Sequence, residues 1–137
     1  MRLEEYRTPT KVKLASLWAS TMFCYVYGDY FGLYVVGTLA DMNRGSLGPL
    51  GHATPGVLIG VSLMMAVPSL MVALSLLMPA RLCKWTCVIL GLAYTGIMAI
   101  SLPGSESFYK LFGAIEIALT LAITLIAFRW PEATGDD

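Results

Sequence analysis

Long apolar runs separated by short polar stretches dominate this chain. Four runs cover residues 13–36, 54–79, 84–103 and 107–129. A helix that crosses the hydrocarbon core of a bilayer needs about 20 residues at about 1.5 Å each, and every run is close to or above that length. The core helices of a soluble protein keep a polar outer face, and these runs have almost none. The pattern therefore predicts an all-α fold, a polytopic four-helix transmembrane bundle.

The composition supports a membrane domain. Of the 137 residues, 57% are hydrophobic and only 13% are charged. A soluble domain of this length carries about twice that charged fraction. The formal net charge is zero, which gives no support for a nucleic-acid partner. We therefore expect one membrane domain over residues 1–137, with the lipid bilayer as its main partner and no nucleic acid.

The basic residues predict how the bundle is oriented. An even number of spans places both termini on one side, together with the tight turn near residues 79–84. That side carries seven basic residues and the other carries two: Arg2, Arg7, Lys11, Lys13, Arg81, Lys84 and Arg129 against Arg44 and Lys110. Because cytoplasmic segments are rich in Lys and Arg, both termini are predicted to be cytoplasmic. Residues 37–53 would then form an external loop, and residues 131–137 a polar C-terminal tail.

The first run is predicted to remain in the mature protein. It is longer than the apolar core of a signal peptide, and Asp29 interrupts it. It also ends in Tyr34-Val35-Val36 and not in a small-x-small cleavage site.

Two carboxylates lie in otherwise uncharged apolar sequence. Asp29 is the only charge in residues 14–36, and Glu116 is the only charge in residues 111–128. A carboxylate in hydrocarbon costs on the order of 3 kcal/mol on insertion scales, so it usually marks a pathway, a ligand counter-ion or a polar contact between helices. By helical rise, the two acids lie about 10 Å and about 12 Å from the outer ends of their runs. We expect them to meet at one level in the outer half of the bilayer.

Aromatic residues surround both acids. On a 3.6-residue period Asp29 shares a face with Tyr25 and Trp18, and Glu116 shares one with Tyr109. Since no basic residue lies within residues 14–36, 53–80, 85–105 or 111–128, three interpretations stay open. The acids are protonated and satisfied by tyrosine hydroxyls, a cation held partly by aromatic faces neutralises them, or they share a proton as an interhelical contact. The candidate ligand- or proton-binding residues are Trp18, Tyr25, Asp29, Tyr30, Tyr109 and Glu116.

Other chemistry-bearing residues carry weaker signals. Cys83 and Cys87 are four apart on one helix face, but no third ligand lies nearby, so we expect packing and no metal. His52 is expected to be an exposed loop residue. No cofactor can be assigned, and a single histidine cannot supply both axial ligands of a haem. Catalytic residues are not predicted, because we find no nucleophile elbow, zinc motif or phosphate-binding glycine loop.

Two sequence features predict helix packing. Pro68, in the middle of the second run, removes a backbone donor and is expected to kink its helix. Pairs of small residues at four-residue spacing, such as Gly91 and Thr95, allow helices to approach closely.

Two stretches resemble a known family. Residues 13–34 (KLASLWASTMFCYVYGDYFGLY) and 68–79 (PSLMVALSLLMP), together with Glu116, are similar to an uncharacterised family of small four-span bacterial membrane proteins, a domain of unknown function. Val36 and Phe108 depart from its pattern, where proline and tryptophan are common, and neither change affects the acids. The resemblance implies a multi-pass protein of the bacterial inner membrane with no established activity. In size and layout the chain is also similar to DoxX-like membrane proteins, but that likeness transfers no residues.

These observations leave several hypotheses for the function. The first is a protein that binds or conducts a proton, a small cation or a cationic or lipidic small molecule at the acids. The alternative is a structural or accessory subunit of a larger membrane complex or a homo-oligomer, in which the acids are interhelical contacts. A second alternative is a DoxX-like role beside redox partners. An enzyme acting on a lipid or quinone ranks lowest, because a nucleophile, a metal cluster and a cofactor motif are all missing from the sequence.

Overall fold

The computed structural model describes residues 6–131, and this part of the chain is helical without a regular strand. The all-α prediction is therefore confirmed. Arg2 and positions 132–137 of the predicted tail lie outside the described residues. In chain order the helices are α1 (Thr10–Gly32), the short α2 (Thr38–Asn43), a 3₁₀ turn (Gly48–Leu50), α3 (Pro55–Leu77), α4 (Ala80–Ser101) and α5 (Ser107–Phe128).

Three of the four long helices, α3, α4 and α5, are long and apolar enough to cross a membrane. Helix α1 has 23 residues but is not among them. Its sequence includes Lys11, Lys13, Asp29 and seven tyrosine, serine or threonine residues, which lower its mean hydropathy. The prediction of four spans is thus corrected: three helices are long and apolar enough to cross a membrane. With these helices the chain is of the small membrane protein type.

Helix ends follow from local sequence. The Thr54 hydroxyl caps α3 by accepting a hydrogen bond of 3.3 Å from the Val57 amide, and Pro55 occupies the first position, where no amide donor is needed. Helix α1 ends at Gly32, four residues before the end of the predicted run, and Gly37 then turns the chain with a φ of 93°. That positive φ suits glycine because it has no Cβ.

The helices form a row in which α3 packs along α1, α1 along α5, and α5 along α4. Helices α3 and α4 are joined by a tight turn yet have little close backbone contact. Large side chains fill the space between them, among them Trp18 from α1, Met71 from α3 and Tyr94 from α4, each at most 5% exposed. The short loop between α4 and α5 joins two helices that pack closely together. The tight turn between α3 and α4 joins two helices that do not.

Helices α4 and α5 approach most closely at two glycines. A Cβ on Gly91 would overlap the Thr124 hydroxyl and lie 3.0 Å from the Thr120 carbonyl oxygen. A Cβ on Gly113 would overlap the Leu102 side chain. The Thr95 and Thr120 hydroxyls join the two helices with a hydrogen bond of 2.7 Å. The pair of small residues at 91 and 95 therefore lies directly on this helix–helix contact.

One end of the bundle is closed by a lysine. The Lys11 ammonium donates to the Met78 carbonyl oxygen at 2.6 Å and to the Leu76 carbonyl oxygen at 3.3 Å. These carbonyls lie at the C-terminal end of α3, where helical acceptors have no partner of their own and a positive charge is favourable. We call this the Lys11 end of the bundle; it holds the start of α1, the end of α5 and the α3–α4 turn. The opposite end is the Asp29 end.

Candidate functional site

Glu116 is buried in α5. Its side chain is 3% exposed, and the carboxylate oxygen Oε2 is fully buried without a hydrogen-bond partner among residues 6–131. Buried polar atoms are almost always paired, because an unpaired one loses its water without compensation. One turn further along, the Thr120 hydroxyl donates to the Glu116 backbone carbonyl at 2.9 Å and so does not serve the carboxylate. The acid is therefore held in the core in an unsatisfied state.

Tyrosines lie on the helix faces next to this carboxylate. Tyr25, on α1, is 7% exposed, and its ring packs edge-on against Tyr94 of α4 with centroids 6.5 Å apart. Tyr109 precedes Glu116 by seven residues, or two turns, on the same face of α5, and Tyr25 lies on α1, which packs along α5. The site thus offers hydroxyl dipoles and aromatic surface, while the described residues contribute no positive charge to Glu116.

Asp29 lies nearer the helix end than Glu116 does. Gly28 faces Phe112, with a Cβ on Gly28 falling 3.9 Å from the Phe112 Cβ, and Phe31 stacks on Phe112 at 6.3 Å. Helices α1 and α5 are antiparallel, so this register places Glu116 about five residues, or roughly 7.5 Å, deeper than Asp29. The expectation that the acids share one level is wrong. It measured the depth of Asp29 from Val36, whereas α1 ends at Gly32.

The two carboxylates also differ in exposure. The Asp29 side chain is exposed at the bundle surface, whereas Glu116 is enclosed. The site is therefore a buried acid with a second acid above it, towards the Asp29 end.

The remaining two predicted site residues lie apart from the acids. Trp18 is completely buried nearer the Lys11 end, where its indole Nε1 donates to the Cys87 sulfur at 3.5 Å. Tyr30 is 48% exposed, and its hydroxyl shares a hydrogen bond of 2.9 Å with the Tyr34 hydroxyl. The structure thus groups Tyr25, Tyr109 and Asp29 around Glu116, while Trp18 approaches only through the ring of Tyr94, 6.1 Å from its own.

Tyr94 is a central residue that the sequence analysis missed. Its hydroxyl donates to the Met64 carbonyl oxygen of α3 at 2.6 Å. Met64 lies four residues before Pro68, whose missing N–H leaves that carbonyl without its helical donor. A proline inside a helix leaves the carbonyl four residues earlier without its N–H donor. The need for a partner at this carbonyl could therefore have been predicted from the sequence. The identity of the donor could not.

Cys83, Cys87 and His52 remain outside the site. Cys83 and Cys87 are completely buried, and the Cys83 thiol donates to the Ser75 carbonyl at 3.5 Å. Within residues 6–131 no group of three or more His, Cys, Asp or Glu side chains is placed to hold a metal ion. His52 is exposed in the loop, as expected.

Together, the membrane-type helices and the enclosed acid define a small helical membrane protein. The sequence model of a family of unknown function (DUF6326) matches residues 1–135, and the chain belongs to that family. The resemblance to an uncharacterised small family is thereby confirmed. No curated protein and no solved structure matches the chain.

Proposed function

We propose that this protein is a four-span protein of the bacterial inner membrane in which Glu116 binds a proton or small cation that Asp29 helps to admit. In this proposal α1 crosses the membrane beside the three more apolar helices, because it packs along both α3 and α5. The excess of basic residues at the Lys11 end supports cytoplasmic termini.

The observation that carries the proposal is the unpaired, fully buried Oε2 of Glu116. A bare carboxylate in that position would be costly, and a bound proton or cation removes the cost. Tyr109 on the same face of α5 and the buried Tyr25 on the neighbouring α1 add hydroxyl groups to this part of the bundle.

The position of Asp29 supports a route to Glu116. Asp29 is exposed and lies roughly 7.5 Å above the buried acid by helical rise. A cation arriving at the Asp29 end would therefore meet one carboxylate before the other. Removing Asp29 should slow access to the site, whereas removing Glu116 should remove the site itself.

The test uses full-length protein in lipid vesicles and compares wild type with three variants, Glu116→Gln, Asp29→Asn and Glu106→Gln. Glu106 is the matched control, since it is an exposed acid before the first turn of α5. Difference infrared spectroscopy follows the carboxylic-acid C=O band as pH or cation concentration changes, and an entrapped pH dye follows flux. We expect Glu116→Gln to lose the band and any flux, and Glu106→Gln to keep both. Undiminished binding and flux in Glu116→Gln would refute the proposal.

A second candidate function is a structural role in a larger assembly. Helix α1 exposes Asp29 on one side and, on its outer face, Phe23, Tyr27 and Tyr30, and lipid cannot satisfy the carboxylate or the hydroxyls. A second copy or a partner subunit would cover this face. In that case Asp29→Asn lowers the fraction of assembled protein, measured by light scattering in detergent and by native pull-down. A monodisperse, partner-free wild-type monomer would argue against it.

The remaining hypotheses gain nothing further. The likeness to DoxX-like proteins rests on layout alone. A reaction on a lipid or quinone would need a reactive group beside Glu116, and a bound quinone or lipid found there would reopen that hypothesis.

A further inference from the structure

A hollow of about 520 Å³ lies at the Lys11 end of the bundle, between the start of α1 and the end of α5. Three basic side chains line it, Arg7 and Lys13 from the first part of the chain and Arg129 from the last. Hydroxyl groups of Thr8 and Thr10 add polar contacts.

The convergence of these cations goes beyond what topology requires. Topology signals place Lys and Arg near helix ends, but they do not gather them around one hollow from opposite ends of the sequence. Arg81 and Lys84 lie at the same end of the bundle and do not line the hollow. None of the three lining cations pairs with a carboxylate within residues 6–131.

The hollow is also amphipathic. Leu125 and Ile126 of α5 form an apolar part of its wall beside the basic groups. A free inorganic anion uses only the charged part, whereas a phospholipid uses both, since its phosphate meets the cations and its acyl chains meet the apolar wall. Basic pockets between membrane helices hold anionic head groups in this way. We propose that this hollow binds the phosphate head group of an anionic phospholipid.

The test compares two double variants of the full-length protein in detergent. Lys13→Gln/Arg129→Gln removes two cations from the hollow, and Arg81→Gln/Lys84→Gln removes two from the same end outside it. Binding of a short-chain phosphatidylglycerol is measured by native mass spectrometry, with phosphatidylcholine as the neutral lipid. At roughly fivefold per cation, the first variant should bind phosphatidylglycerol about thirtyfold more weakly than wild type, and the second should bind it about as well.

Two further measurements keep the proposal open to refutation. Arg7→Gln lies before α1 and cannot disturb that helix, so a folded variant with roughly fivefold weaker binding is expected. Inorganic phosphate is titrated alone and as a competitor. Equal losses in both double variants would show a general surface charge effect and overturn the proposal. So would binding of inorganic phosphate as tight as that of the lipid, or equal retention of phosphatidylcholine and phosphatidylglycerol.

Discussion

The two ends of the bundle differ in whether their buried polar groups are hydrogen-bonded. At the Lys11 end the ammonium of Lys11 bonds to the Met78 carbonyl, the Trp18 indole bonds to the Cys87 sulfur, and the Cys83 thiol bonds to the Ser75 carbonyl. Towards the Asp29 end the Glu116 carboxylate is enclosed without a partner, and Asp29 is exposed on a helix that packs among apolar neighbours.

The hydrogen-bonded groups at the Lys11 end hold the helices together, whereas the Glu116 carboxylate has no partner among the described residues. A paired buried group contributes to stability, and its loss leaves the other member unsatisfied. An unpaired buried carboxylate detracts from stability until something binds it. Substitutions at the Lys11 end and around Tyr94 should therefore lower stability, whereas an apolar residue at position 116 should raise it.

The largest expected effect is the loss of Trp18, which is completely buried at the centre of the contact among three helices. Trp18→Ala should lower the free energy of unfolding by about 3–5 kcal/mol, because it removes a large side chain and leaves a cavity. Reversible unfolding in mixed micelles measures the change. Trp85→Ala is the control: Trp85 is 51% exposed, and a comparable loss there would contradict the assignment of Trp18 to the core.

A smaller loss is expected where α4 meets α5. Gly91→Ala places a methyl group against the Thr120 carbonyl and the Thr124 hydroxyl, so it should cost about 1–3 kcal/mol. Gly96→Ala, on the same helix, meets nothing within 4 Å and should stabilise the protein by up to about 1 kcal/mol, because alanine favours the helix. Thermal unfolding of the two variants side by side checks the opposite signs. Equal effects of the two substitutions on stability would show that the close helix contact at Gly91 does not contribute to it.

Next is the hydrogen bond between Tyr94 and the carbonyl that Pro68 leaves without a donor. Tyr94→Phe should cost about 1–2 kcal/mol, because the half-buried Met64 carbonyl, which has no helical donor, loses its partner. In a Pro68→Ala background the helix supplies its own N–H, so the same substitution should cost much less. A double-mutant cycle by micelle unfolding measures the coupling. Additive effects would show that Tyr94 does not compensate for the proline.

The smallest expected effect has the opposite sign. Glu116→Met keeps a similar volume and removes the unpaired carboxylate, so it should raise the free energy of unfolding by up to about 1 kcal/mol. The measurement is made without added ligand at neutral pH. A clear loss of stability would instead support the interpretation of Glu116 as an interhelical contact, and would weaken the contrast between the two ends of the bundle.

Much of the architecture was predictable from the chain itself. Each of the four apolar runs contains one long helix, because a run of that length has few other ways to satisfy its backbone in an apolar setting. The close approach at Gly91 followed from the spacing of small residues. The end of α1 was not predictable from apolarity, since residues 33–36 are apolar yet lie beyond the helix. Asp29 is therefore closer to the end of its helix than expected and does not lie at the level of Glu116.

The sequence by itself determined that this chain is helical, that its helices are of membrane type and that two acids interrupt them. Only the tertiary structure decided that Glu116 is enclosed while Asp29 is exposed, and that Tyr94 serves the carbonyl before Pro68. The physical reason is that both acids lie in apolar helical sequence of the same kind. Which face of a helix is covered depends on the helices that pack beside it, and those contacts join residues far apart in the chain.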